Sequence, residues 1–253
     1  MARLSVENVT LTFGGLNALT GVNMAFEEGL ITSVIGPNGA GKTSLLNCVS
    51  GIYHPTRGEV HFGDARLTKA SPHQVTKFGI ARAFQNLELF GGLSVLDNLM
   101  LARHRHLRYS ILHALIYIGK TSRLEAENRA YVEDVIDFME LEAVRKRAVG
   151  SLSYGIQKRV EVARALTLGP ELLLLDEPMA GMNIEEKEDM VRFILEIQQE
   201  RKMTVVLVEH DLGVVMDISD RIYVLDFGEV IGSGTPKEVA TNPQVIEAYI
   251  GED

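Results

Sequence analysis

Nine consecutive residues, Gly36-Pro37-Asn38-Gly39-Ala40-Gly41-Lys42-Thr43-Ser44, match the phosphate-loop pattern G-x-x-x-x-G-K-[ST] at every fixed position. Gly36, Gly39 and Gly41 let the backbone approach a polyphosphate, and successive N–H groups at a helix start hold its charge. Lys42 is then expected to reach the β- and γ-phosphates of a nucleotide, and the Thr43 hydroxyl a Mg²⁺ ion. Far downstream, the apolar run Leu172–Leu175 ends in Asp176-Glu177-Pro178. An aspartate at such a strand end helps hold Mg²⁺, directly or through water, and a neighbouring carboxylate can polarise an attacking water, a role Glu177 fits. A third stretch, Thr204–Val208, leads into Glu209-His210-Asp211. His210 is placed either to hydrogen-bond a γ-phosphate or to orient Glu177 and the water.

These residues need a scaffold that brings their strand ends to one edge. Ile31–Ile35, a β-branched run before the loop, reads as a buried strand, and Leu45, Leu46, Val49 and Ile52 after it recur at helical spacing. Leu172–Leu175 is apolar on both faces, as suits a central parallel strand covered by helices. Parallel strands of one sheet present their carboxyl ends together, so all three tips are expected to converge there. Leu152-Ser153-Tyr154-Gly155-Ile156-Gln157 opens a further helix: Ser153 can cap it, and Ile156, Val160, Ala163 and Leu166 form one apolar stripe. Its N-terminus is a second place suited to an anion.

Earlier, Leu4 to Phe26 reads as short strands with a turn at Gly14-Gly15, an antiparallel layer ahead of the loop. Phe13 lies just before that turn, where a ring is either core or a surface for adenine to stack on. Glu59 to Asp64 reads as another strand ending in a turn. His54, His61 and His73 are expected in loops, without the spacing of metal ligands.

The chain has 253 residues, 46% of them hydrophobic, enough to bury a sizeable core. Lysine and arginine number 25 against 34 aspartates and glutamates, a net charge of −9, which argues against a general nucleic-acid binder. The lone cysteine, Cys48, excludes an intrachain disulfide and reads as a small core residue. The N-terminus shows no secretory pattern and no apolar run reaches membrane-spanning length, so a cytoplasmic protein is expected.

Taken together, these stretches make the chain resemble an ATP-binding-cassette (ABC) ATPase over essentially its whole length. The family's phosphate loop matches Gly36 to Ser44, its glutamine loop Gln85, its L-S-G-G-Q-type signature Leu152 to Gln157, its aspartate-glutamate strand end Asp176-Glu177 and its switch histidine His210. The implied fold is α/β: a phosphate-loop NTPase (RecA-like) core with an N-terminal antiparallel β layer and an inserted α-helical subdomain. On that basis residues 1–85 and 160–253 form the β layer and core, and 86–159 the helical subdomain with the signature. The resemblance further implies that ATP is sandwiched between two such subunits, identical or not, with Ser153, Tyr154, Gly155, Ile156 and Gln157 of one facing the phosphate loop of the other. It assigns Phe13 to adenine stacking. Gln85 joins Thr43 and Asp176 at the Mg²⁺ ion, senses the γ-phosphate and couples it to a membrane partner.

Two departures stand out. Tyr154 replaces a signature glycine, and Asn183 in Ala180-Gly181-Met182-Asn183 stands where the family usually has aspartate, which bears on intersubunit communication. Within the family, the resemblance is closest to the ATPases of branched-chain amino-acid uptake, in Ala81 to Leu87, Ala180 to Asn183, Val208 to Asp211, Ile218 to Val224 and Tyr249 to Glu252. Importers of urea or amides and the lipopolysaccharide-export ATPase share parts of this pattern. The implied partners are a second ATPase subunit, two membrane-spanning permease subunits and, indirectly, a solute-binding protein, at the cytoplasmic face of the inner membrane. A soluble ABC ATPase acting as an assembly switch is the reading from another class.

In the inserted segment, Arg103, Arg105, Arg108, Lys120 and Arg123 flank an amphipathic stretch around Ile111, Leu112, Leu115, Ile116 and Ile118, too short to span a bilayer. It reads as an ordinary subdomain helix with a solvated basic rim or as a membrane-proximal surface. The acidic run Glu185 to Asp189 reads as the solvated first turn of a helix. Phe84, Leu89, Phe90 and Leu93 are expected to line a groove for a permease and to be partly exposed.

Overall fold

Strand β1 (Ala2–Phe13) and strand β2 (Leu16–Glu27) form a hairpin whose turn falls at Gly14 and Gly15, both at positive φ. They are two long strands rather than several short ones, and the reason lies in a paired irregularity. The buried residues Val6 and Val9 on β1, and Leu19 and Val22 on β2, are each three apart, one residue out of step with the period of a strand. Asn8 (φ +51) and Gly21 (φ +58) absorb the extra residue, the register shifts between Val6 and Val9, and Val9 then faces Val22. Strand β4 (Arg57–Phe62) pairs with β1, and the short β5 (Ala65–Arg66) with β4, giving a four-stranded antiparallel sheet of order β2-β1-β4-β5. His61 lies on β4 rather than in a loop, its Nε2 2.8 Å from Glu59 Oε2. The structure, a computed structural model, describes residues 2–103 and 120–250. The expected amphipathic stretch from Ile111 to Ile118, with Arg105 and Arg108, lies outside them.

The second sheet holds the three apolar runs. Strands β3 (Ile31–Ile35), β7 (Leu172–Asp176) and β8 (Thr204–Val208) are buried at every residue. With β6 (Ile80–Ala83), β9 (Arg221–Asp226) and β10 (Glu229–Gly234) they form a six-stranded sheet of order β10-β9-β3-β8-β7-β6, parallel except for β10. Alternate side chains enter different cores. Leu172, Leu174, Val206 and Val208 face a core shared with the antiparallel sheet and helix α1 (Lys42–Val49), while Leu173, Leu175, Val205 and Leu207 face one built from helices. Truncating any one of these leucines to alanine costs about 2–5 kcal/mol, because a close-packed site collapses only in part.

Helix α2 (Pro72–Lys77) precedes β6. Helices α3 (Val95–Arg103), α4 (Lys120–Phe138), α5 (Tyr154–Leu166) and α6 (Ile184–Glu200) supply the helical core through Val95, Leu99, Val132, Ile136, Val160, Ala163, Phe193 and Ile197. Helices α7 (Leu212–Ile218), α8 (Pro236–Ala240) and α9 (Pro243–Ile250) close the β9–β10 side. The acidic run opens α6, whose cap is Asn183: its side chain accepts the Glu186 N–H at 2.9 Å and Glu186 returns to the Asn183 N–H. The chain is thus an α/β phosphate-loop NTPase fold with an added antiparallel sheet.

Candidate nucleotide site at the carboxyl edge of the parallel sheet

The loop between β3 and α1 is shaped by close backbone approach. Gly36 (φ +148) lies so near β9 that a Cβ would sit 2.0 Å from the Leu225 carbonyl oxygen, and one on Gly41 (φ +103) would sit 2.6 Å from that of Ala18. No residue with a side chain fits either place. Lys42, almost wholly buried, turns back into the loop, its Nζ donating to the carbonyls of Gly36 (2.5 Å) and Pro37 (2.8 Å). Residues Asn38, Gly39, Ala40, Gly41, Lys42, Thr43 and Ser44 line a cleft of about 310 Å³ together with Ala18, Gln85, Glu177 and His210.

The far wall of that cleft is one hydrogen-bonded unit. Glu177 Oε2 accepts from Gln85 Nε2 at 2.7 Å, and Glu177 Oε1 lies 2.6 Å from His210 Nε2. Three residues spread over about half the chain meet because β6, β7 and β8 are parallel and end together. Glu177 itself adopts φ +48. A non-glycine residue there costs on the order of 1–3 kcal/mol, a strain that clusters at functional sites. Its main chain is held by a bond from the Glu177 N–H to the Val208 carbonyl at 2.9 Å. Glu209, buried beside it, accepts the N–H groups of Met179 (2.9 Å) and His210 (3.1 Å), which ties the turn after β7 to the turn after β8. Burial pushes the Glu209 carboxyl above its ordinary range, against the pull of those two N–H groups.

Asp176 is 2% exposed, and its Oδ2 accepts from Arg82 Nη2 at 2.6 Å. Arg82 also donates from Nη1 to Asn47 Oδ1 (2.7 Å) and Ser50 Oγ (3.1 Å) and lies 4.7 Å from the Phe84 ring centre. The other oxygen, Asp176 Oδ1, is buried with no hydrogen-bond partner in the chain. A buried carboxylate oxygen left over in this way fits a Mg²⁺ ion, which takes one or two carboxylates and completes its shell with water and phosphate oxygens. Among the described residues no group of three or more His, Cys, Asp or Glu could hold a metal unaided.

The other expected residues lie apart from the cleft wall. Phe13 is 47% exposed at the hairpin tip, where it meets Tyr53 edge to face at 5.1 Å between ring centres. Ser153 caps α5, accepting the Ile156 N–H at 3.4 Å, and Gln157 Nε2 donates to the Leu152 carbonyl. Tyr154 is exposed and its ring packs by Gly181, while a Cβ on Gly155 would meet Glu186 at 2.3 Å. The signature thus packs against the start of α6 and stands outside its own subunit's cleft.

Sequence reasoning missed Arg82, Lys158, Glu161 and Glu209. A charged residue inside an apolar strand and two on the buried face of α5 were the available signals. Cys48 is a core residue as expected.

The family model described as ABC transporter matches residues 19–180, and that described as branched-chain amino acid ATP-binding cassette transporter matches residues 229–253. The chain belongs to the ABC transporter family. It is 40% identical over 249 residues to the high-affinity branched-chain amino acid transport ATP-binding protein BraF of Pseudomonas aeruginosa, covering 98% of both chains. Among solved structures, the ADP conformation of an ATP-binding cassette of an ABC transporter superposes with a TM-score of 0.86 at 33% identity, covering 100% of both chains. A dimeric cassette in a post-hydrolysis state, bound to ADP and phosphate, gives a TM-score of 0.77 at 28% identity over 92% of this chain and 98% of that one.

Proposed function

We propose that this chain is the ATP-hydrolysing subunit of an importer of branched-chain amino acids, working as a pair of subunits that close on ATP and reopen after hydrolysis. The observation that carries the reading is the Glu177 carboxylate, held between Gln85 and His210 at the edge of the phosphate-loop cleft. In this reading Lys42 exchanges the Gly36 and Pro37 carbonyls for β- and γ-phosphate oxygens. Glu177 accepts a proton from, or orients, the attacking water, and His210 steadies that carboxylate and the γ-phosphate side. Asp176, Thr43 and Gln85 are the residues to hold Mg²⁺, whose charge would neutralise that developing on the phosphates. Phe13 stacks on adenine, and Ser153 to Gln157 reach the nucleotide of the second subunit.

Residues 86–159 serve as a helical subdomain on the core formed by 1–85 and 160–253. The membrane-spanning permeases dock beside it. Phe90 and Leu93 are exposed and Phe84 and Leu89 half-buried, and Phe84 also lines a cavity of about 380 Å³ with Ile52, Arg82, Ala102, Arg164 and Leu168. No helix among the described residues is long and apolar enough to cross a membrane, so contact with the permeases sets a peripheral position at the cytoplasmic face. A solute-binding protein acts through the permeases, and nucleic acid has no part. Branched-chain amino acids are the favoured solute because the match at residues 229–253 and the BraF relative both bear that description.

The test is ATP turnover by Glu177→Gln beside the wild type. Loss of a general base lowers turnover by roughly 10²–10⁴-fold, while ATP affinity holds and an ATP-bound dimer accumulates. Turnover at the wild-type rate would place the base elsewhere. ATP-driven leucine uptake by vesicles with the native permeases tests the solute, and uptake of urea instead would overturn it.

A further inference from the structure

Lys158 is 2% exposed, and among the described residues it forms no ion pair. Its Nζ instead donates to two main-chain carbonyls, that of Gln85 at 2.5 Å and that of Glu177 at 3.4 Å. A buried ammonium whose hydrogen bonds go to main-chain carbonyls is an expensive way to fill space, since an apolar side chain of that length needs no desolvation. Burial accordingly lowers its pKa, against the surrounding Glu161, Glu209, Glu177 and Asp176 carboxylates. What the charge does achieve is geometric. The two residues whose carbonyls it collects are also joined through their side chains, Gln85 Nε2 to Glu177 Oε2 at 2.7 Å. Lys158, Gln85 and Glu177 therefore close a ring, with one member each from α5, the segment after β6 and the turn after β7.

The ring is continued along the same helix at spacings of three. Arg164 donates to the Glu88 carbonyl at 2.6 Å while pairing with the buried Glu161 at 2.7 Å. The backbone at Gln85 and at Glu88 is thus fastened to one face of α5, whose first turn is the signature. Tyr154, in that turn, lies 5.9 Å from Lys158 Nζ by its ring centre.

We propose that Lys158 is a positioning residue for ATP hydrolysis, using the main chains of Gln85 and Glu177 to make the Glu177 carboxylate competent only when the signature helix is seated. This rests on Glu177 being the catalytic carboxylate. Glu177 occupies a strained left-handed conformation, so its peptide has a ready alternative if nothing grips it. Lys158 supplies that grip from the helix that meets the second subunit's nucleotide. Displacement of α5 at the shared interface then reaches the hydrolytic carboxylate of its own subunit through a single ammonium group.

The experiment compares the full-length wild type, Lys158→Met, Lys158→Arg, Glu177→Gln and the double variant Lys158→Met with Glu177→Gln. Steady-state ATPase activity, ATP affinity and thermal melting are measured on the same samples. Misplacing a catalytic group by about 1 Å costs on the order of 10²-fold, so K158M is expected to lose about ten- to a hundredfold in kcat. Its KM for ATP should stay within about twofold, because ground-state binding is untouched. K158R keeps a cation able to reach both carbonyls and should recover most of the loss. In the E177Q background K158M should cost nothing further, since both act through one group. If K158M does not fold, Lys158→Gln, which keeps a donor on a shorter stem, takes its place in every comparison. Wild-type kcat in K158M beside an inactive E177Q overturns the proposal alone, as does an equal loss in K158R or an additive loss in the double variant. Full activity in E177Q overturns the reading of Glu177 and the proposal with it.

Discussion

Arg82 and Asp176 meet at 2.6 Å in an ion pair with 5% and 2% of their side chains exposed, at the carboxyl end of β7, one residue before Glu177. Breaking a buried pair by removing one partner costs about 3–5 kcal/mol, because the other charge stays buried without compensation. Arg82→Met is therefore expected to lower stability by about that much, and Arg82→Met with Asp176→Asn by clearly less than the sum of the two single changes. Urea unfolding of the three variants measures it. Additive losses would mean that the pair is not coupled in the folded chain.

The segment after Gln85 holds an exposed apolar residue next to one packed on the core. Leu89 packs against the helical core, whereas the Phe90 side chain is 55% exposed while its main chain is fixed by Asn98. Phe90→Glu should then leave melting temperature and basal ATPase activity close to wild type. It should abolish co-sedimentation with membranes bearing the native permeases, since an unpaired carboxylate is costly to desolvate at an interface. Undiminished co-sedimentation would remove Phe90 from the docking surface.

Cys48 offers a probe of the core behind the phosphate loop. Burial pushes its thiol from the ordinary 9.0 up to about 12. The folded pKa is the raised one, so this group's contribution is complete below pH 9 and is lost as pH rises toward 12. At pH 8 a disulfide reagent such as DTNB should modify none of the native protein and one thiol per chain in denaturant. Cys48→Ala should flatten the alkaline fall in stability over that window. Rapid native labelling would show that α1 opens readily.

The parallel strands were legible in the sequence because Ile31–Ile35, Leu172–Leu175 and Thr204–Val208 are buried on both faces and carry no competing pattern. The phosphate loop was legible because its glycines answer to backbone geometry. The length of β1 and β2 was not, since the Asn8 and Gly21 irregularities break the alternation that marks a strand. Gln85 and His210 came from the family resemblance and the strand end, but their meeting on opposite oxygens of Glu177 depends on strand order, which no local pattern encodes. Arg82, Lys158 and Glu209 were hidden for another reason: two of the three bond to main-chain atoms, so no complementary side chain elsewhere in the sequence announces them. Asn183, which stands where the family usually has aspartate, caps α6.

The phosphate loop takes its shape from chain at both ends of the sequence. Gly36 fits beneath the Leu225 carbonyl and Gly41 beneath that of Ala18, while a Cβ on Gly228 would in turn strike Ala18. Each of these contacts is main chain on main chain, so the mould has no preference for which side chains Leu225 or Ala18 bear. Leu225 is held by its own burial in the core, whereas the three glycines admit no replacement because a Cβ would strike the main chain. The loop's rigidity is in this sense a property of the hairpins around it, and a lesion in β9 or β2 that bends the backbone without touching a single phosphate contact would be felt as a loss of nucleotide.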